Sequence, residues 1–117
     1  MDHPAVTVES QADRTVATLL LRRVSGAPAE DGMWEMLAKL VTMPETKTLF
    51  LDCRQIQHFS SAGLGRLVTL AKQGRDGGGR VVLRNLCPSQ LAVFRLLRLD
   101  SCLEIEPDRD PKGGLVP

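Results

Sequence analysis

Residues 48–71, TLFLDCRQIQHFSSAGLGRLVTLA, hold a strand, a short loop and a capped helix in immediate succession. Thr48 to Leu51 is an apolar run of strand character closed by Asp52. Ser60 stands where a helix N-cap is wanted, because its side-chain oxygen can accept from a first-turn amide that has no partner within the helix. Beyond it Leu64, Leu67, Val68 and Ala71 recur at i, i+3, i+4 and i+7, which puts them on one helical face. A strand feeding a helix in this way is half of a βαβ unit.

Length and composition set the limits around that unit. The chain has 117 residues, 43% hydrophobic and 25% charged, which suits one domain with one core. Aromatics make up 3%, with Trp34 the single tryptophan and no tyrosine, so the core must come from Leu, Val, Ile and Ala. Stacking platforms for single-stranded nucleic acid are missing. The net charge of +1 does not call for a polyanionic partner, and no nucleic acid is expected. Basic residues do concentrate in the second half, at Arg66, Lys72, Arg75, Arg80, Arg84, Arg95 and Arg98, giving either a solvated face or a docking patch for an acidic partner. Cys53, Cys87 and Cys102 are far apart and lack CxxC spacing, which fits a reducing compartment and no zinc site. The opening, MDHPAVTVESQADRT, is too polar for a signal sequence and no run of 18 apolar residues occurs, so a cytoplasmic location without membrane contact is expected.

In chain order, the alternation around Val6 and Val8 and the longer run TVATLLLRRV, residues 15–24, predict an antiparallel hairpin. SGAPAEDG breaks the pattern. Met33, Trp34, Leu37, Leu40 and Val41 then predict a helix over residues 29–42, ended before Pro44. After the central helix, GRDGGG is a stop signal. Residues 80–83 are a short strand, Pro88 suits a first helical position, and Leu91, Val93, Phe94, Leu97 and Leu99 follow in a third helix. SCLEI, residues 101–105, reads as the last strand. The predicted order is β-β-α-β-α-β-α-β: a single α/β domain over residues 1–107 with a mixed sheet and helices mainly on one face. Residues 108–117, DRDPKGGLVP, hold two prolines and two glycines and are expected to form a flexible tail. Trp34 is expected to bury against the sheet.

The run LDCRQIQHFSSAGLGRLVTL resembles the central segment of STAS domains, the family of bacterial anti-sigma factor antagonists and of the cytoplasmic domains of sulfate transporters. The order of elements extends the resemblance over residues 5–105, while its specific part is Leu51-Asp52 at a strand end and Ser-Ser-Ala-Gly-Leu opening a helix. The resemblance implies a small protein-binding regulatory domain. Its partners would be an anti-sigma factor of the serine-kinase type and a PP2C-type phosphatase that resets it. In the family's best-known members the loop reads Asp-Ser-Ser-Gly-Leu and the serine before the glycine is phosphorylated. Aligned on Gly63, this chain has Ser60, Ser61 and Ala62 there, so the usual acceptor is replaced by alanine. Ser61 becomes the candidate acceptor and Ser60, committed to capping, the lesser one. The partner surface is expected over Gln57, His58, Phe59, Ser60, Ser61, Ala62, Gly63, Leu64 and Arg66, with Gly63→Arg as its mutational probe.

Competing readings stand beside this one. Both serines can be plain cap and first-turn residues, leaving a constitutive interaction module, or the amides of residues 60–63 can bind a small ligand. Asp52, at the end of a central strand, sits either where open α/β sheets place functional groups or as an acceptor for loop amides of residues 55–60. Asp52, His58 and Ser61 contain the residue types of a catalytic triad, but they crowd one loop and no other loop supplies an oxyanion hole, so no enzyme is expected. No GxGxxG or GK[ST] motif is completed, and no cofactor is expected.

Overall fold

The structure, a computed structural model, describes residues 3–11 and 14–106. The hairpin forms from β1 (Val6–Gln11) and β2 (Arg14–Leu19), antiparallel from Val6 opposite Leu19 to Gln11 opposite Arg14. Helix α1 (Asp31–Thr42), entered through a 3-10 turn at Pro28–Glu30, leads to β4 (Thr48–Asp52). Helix α2 (Ser61–Asp76) leads to β6 (Arg80–Arg84), and α3 (Pro88–Leu96) leads through a second 3-10 turn, Leu99–Ser101, to β7 (Glu104–Ile105). The main sheet has the order β1-β2-β4-β6-β7, with all pairs after the first parallel. Each crossover therefore steps the same way across the sheet, and right-handed crossovers in one direction place all three helices on one face.

Alternation along the strands follows from that one-sided cover. Ala17, Leu19, Leu49, Leu51 and Leu83 are fully buried on the helix side, with Leu37, Leu67, Leu70 and Phe94 packed over them. Each of the larger side chains contributes about 1.5–3 kcal/mol of burial, and the core is mainly aliphatic, with Phe59, Phe94, Trp34, Met33 and Met36 completing it. On the open face the ring of Phe50 lies between the guanidinium groups of Arg14, 5.4 Å from its centre, and Arg84, 4.2 Å away. These arginines roof the aromatic ring while keeping their charge in water.

Two expectations change. The run TVATLLLRRV is not one strand: β2 stops at Leu19, and Arg23–Val24 forms a separate strand, β3, parallel to β5 (His58–Phe59) in a second, two-stranded sheet. The reason is a tertiary competitor for the backbone, since Arg22 O accepts from Gln57 N and His58 N at 2.7 and 3.2 Å. The last strand is shorter than SCLEI, because Leu99–Ser101 forms the 3-10 turn. Trp34 is buried as expected, at 5% exposure, and it also borders a small groove with Arg66, Thr69, Leu70 and Gln73 of α2. The expected tail, residues 108–117, lies outside the described residues. No described helix is long and apolar enough to cross a membrane.

Candidate functional site at the start of α2

Ser60 caps α2 as its position demands, with φ −77° and ψ 169°. Its hydroxyl oxygen accepts from Gly63 N at 3.0 Å and its proton goes to Ser25 O at 2.8 Å, while Ser60 N donates to Val24 O at 2.9 Å. Ser60 thus caps α2 and ties its start to Val24 of β3 and to Ser25 just beyond it. Ser61 and Ala62, the first two residues of the helix, are exposed, and the Ser61 hydroxyl has no hydrogen-bond partner among the described residues. Gly65, one turn on from Ser61, is also exposed, with nothing within 4 Å of where a side chain would begin.

The neighbouring loop fits closely over this end. Gly26 has φ +73°, which glycine adopts without strain, and a side chain there would come within 2.8 Å of the Ala62 methyl. Glu30 holds the loop in place: its carboxylate accepts from Ser25 N and Ser25 Oγ, both at 2.8 Å, from Gly26 N at 2.9 Å and from Trp34 Nε1 at 3.2 Å. Partial burial works to raise its pKa, yet these four donors outweigh it and hold the carboxyl below the usual glutamate value. A depressed carboxylate stabilises the fold above its unfolded pKa, and that contribution is lost as pH falls through the lower folded value. Acidification below about pH 4.5 is therefore expected to release the loop. Trp34 emission should shift to the red in that window, whereas Glu30→Gln should show the shifted emission already at neutral pH.

Asp52 has a structural part, with donors other than those expected. It is 5% exposed and accepts not from amides of residues 55–60 but from Arg54 N at 3.0 Å, from the Arg54 guanidinium, and from Asn85 Nδ2 at 3.1 Å. Burial pushes its pKa up, and these donors more than reverse the push, leaving it lowered. Asp52 ties the end of β4 to the end of β6, where Asn85 turns with φ 59°. No hydrogen bond among the described residues links Asp52, His58 and Ser61, so the triad types are not assembled. Burial also pushes the Cys53 thiol far up, which makes it an unreactive core residue.

The predicted partner residues divide by exposure. Gln57, His58, Ser61 and Ala62 face solvent; Ser60 and Arg66 are half-buried; Phe59, Gly63 and Leu64 are buried. Phe59 sets its ring edge-on to Phe94, 5.3 Å between centres, and its amide donates to Gln90 Oε1 at 3.2 Å. Arg66 is ion-paired with Asp31. Of the wider basic set, Arg80 pairs with Glu104, Arg84 with Glu106, and Arg75 donates to Cys102 O at 2.9 Å. These arginines are engaged by the chain itself and do not make one open docking face. For an anion, only the amides of Ser61 and Ala62 lack a partner among the described residues, since those of Ser60 and Gly63 are already bonded. Sequence reasoning missed Ser25, Gly26, Glu30 and Gln90. The separation of Glu30 from Ser25 in SGAPAE carried the only local hint, a carboxylate that can turn back on a short loop.

A family model described as Mlab, STAS domain, matches residues 10–106. The chain belongs to the STAS domain family. Solved structures agree on the fold. The STAS domain resembles a STAS domain protein from Planctomyces limnophilus with a TM-score of 0.73 at 16% identity, covering 86% of this chain and 87% of that one. It resembles a putative anti-sigma factor antagonist from Thermotoga maritima with a TM-score of 0.67, also at 16% identity, covering 92% and 88%. It also resembles the Bacillus protein SpoIIAA in its phosphorylated form, with a TM-score of 0.65 at 16% identity over 87% and 91% of the two chains. In this STAS domain the loop held by Glu30 packs on the start of α2, with Gly26 against Ala62 and Ser25 bonded to Ser60.

Proposed function

We propose that this STAS domain is a non-enzymatic regulatory module that binds a partner protein through the exposed start of α2. The observation that carries the reading is the division of labour between the two serines: Ser60 is consumed by capping and by the bond to Ser25, while Ser61 and Ala62 stand exposed beside it. SpoIIAA, a structural relative, is an anti-sigma factor antagonist that exists in a phosphorylated form. By that likeness the partner is an anti-sigma factor of the serine-kinase type, with a PP2C-type phosphatase as the reset, and the setting is the cytoplasm of a bacterium. Ser61 is the acceptor. A phosphate there adds about −1.5 to −2 charges at the positive end of α2, where the helix tolerates it, and confronts an incoming partner with charge and desolvation cost.

Ser61→Asp is expected to weaken partner binding about tenfold while Ser61→Ala binds as wild type, read by titration calorimetry. Ser60→Ala should instead cost about 1–2 kcal/mol of stability, because it loses both the cap and the bond to Ser25. Phosphopeptide mapping after incubation with the kinase should place label on Ser61. Label on neither serine, with partner binding intact, would leave a constitutive interaction module.

A further inference from the structure

A second feature lies at the other end of α2. Arg75, in the last turn of that helix, donates to Cys102 O, which fixes the segment after α3 about 20 Å along the helix from Ser61. There Leu96 and Leu97 are 82% and 54% exposed, the two most open large apolar side chains described. Helix periodicity does not excuse Leu96: Phe94 is the core residue of α3, and Leu96 lies some 200° around the helix from it, on the face of Ser89 and Ala92. Arg95 and Arg98 flank the pair, both exposed, and neither makes an ion pair among the described residues. Arg95, in the last turn of α3, has a structural use against the negative end of the helix dipole.

Arg98 has no such use. It adopts φ 57° and ψ 30°, the left-handed conformation that ends helices and that glycine takes without penalty. An arginine at this position costs stability, and among the described residues its exposed side chain makes no ion pair or hydrogen bond in return, next in the chain to two exposed leucines. The combination of unpaired positive charge and open apolar surface selects among occupants. A second copy docking through the same patch would set arginine against arginine. A bilayer would need a longer apolar face than this, since α3 has nine residues and turns its main apolar side inward. We infer that the turn ending α3, residues 95–98, is a docking surface for an acidic segment of a partner protein that presents apolar side chains between its carboxylates. This surface does not depend on the one at Ser61, and the two can fail separately.

The test uses the whole chain and a fluorescent helical peptide with leucines one turn apart and glutamates on either side, with a lysine version of the same peptide as control. Binding of the acidic peptide is expected at low salt, falling about tenfold in the Leu96→Ser, Leu97→Ser double variant and falling again as salt rises. The lysine peptide should not bind. Arg98→Gly should separate function from structure: it should weaken the peptide complex while raising the thermal midpoint by about 3–6 °C through relief of the left-handed arginine. Equal affinity across these variants, no binding of the acidic peptide at millimolar concentration, a lowered midpoint for Arg98→Gly, or capture of the protein by phosphatidylglycerol vesicles in its place would each overturn the proposal.

Discussion

Gly63→Ala is expected to lower the thermal midpoint by about 10 °C or more, a large loss for one added methyl group. An ideal Cβ on Gly63 would lie 2.3 Å from Val24 O and 2.9 Å from its carbonyl carbon. The obstacle is backbone and cannot rotate away. Val24 O is fixed by the bond from Ser60 N, and the strand that carries it is paired to β5. To make room, β3 must leave β5, and the Ser60 bonds to Val24 and Ser25 go with it. Overpacking of this kind costs about 3 kcal/mol or more, a sizeable part of the roughly 5–15 kcal/mol that holds a domain together. Two other glycines on α2 calibrate the result. At Gly74 the nearest atoms are the Val41 and Val81 methyls, at 2.8 and 3.2 Å, which can shift, so Gly74→Ala should cost less. At Gly65 nothing lies within 4 Å, and Gly65→Ala should gain about 0.5–1 kcal/mol of helix propensity. The expected order of midpoints is Gly65→Ala, wild type, Gly74→Ala, Gly63→Ala. A Gly63→Ala protein that melts within a few degrees of wild type would refute the close approach of α2 to β3. It follows that Gly63→Arg, attractive from sequence as a docking probe, reports on folding.

The strands and helices legible in the sequence are those whose signal is local. The apolar run closed by Asp52 forms a strand, Ser60 precedes a helical period, and Pro88 opens α3, each as expected. The connectivity followed because strands joined through helices have few ways to pair. What escaped depends on residues distant in the chain. Strands β3 and β5 are two residues each, too short for any periodicity, and exist because Arg22 and Val24 offer carbonyls to the loop after β4. Asp52 finds Asn85, and Phe59 finds Gln90, each more than thirty residues on. In α2 the predicted Leu64, Leu67 and Ala71 are buried and Val68 is half-buried against the core, while Leu70 and Gly74 widen the buried face beyond that period. The third helix, expected to run through Leu97 and Leu99, stops at Leu96, and Leu96 and Leu97 are left exposed. Gly63 and Gly65 look alike in the string GLG. Two residues turn a helix by about 200°, so one meets a strand and the other meets solvent.

That difference supplies the sharpest test of the proposed docking surface. Gly65→Arg is expected to abolish partner binding, by about a hundredfold or more, in a domain as stable as wild type. Gly65 lies one turn beyond Ser61 and Ala62 on the same exposed face, so an arginine there would stand over the two residues that a partner must approach. Its added bulk meets open space, and replacing a helical glycine should leave the midpoint unchanged or raise it, which removes misfolding as an explanation of lost binding. The effect is also separable from the switch at Ser61. Ser61→Asp acts through charge and should weaken as salt rises, while Gly65→Arg acts through excluded volume and should persist at high salt. If the proposed partner binds Gly65→Arg within about threefold of wild type while the melt is retained, the interface lies elsewhere on the domain, and the exposed Ser61 is an ordinary first-turn residue.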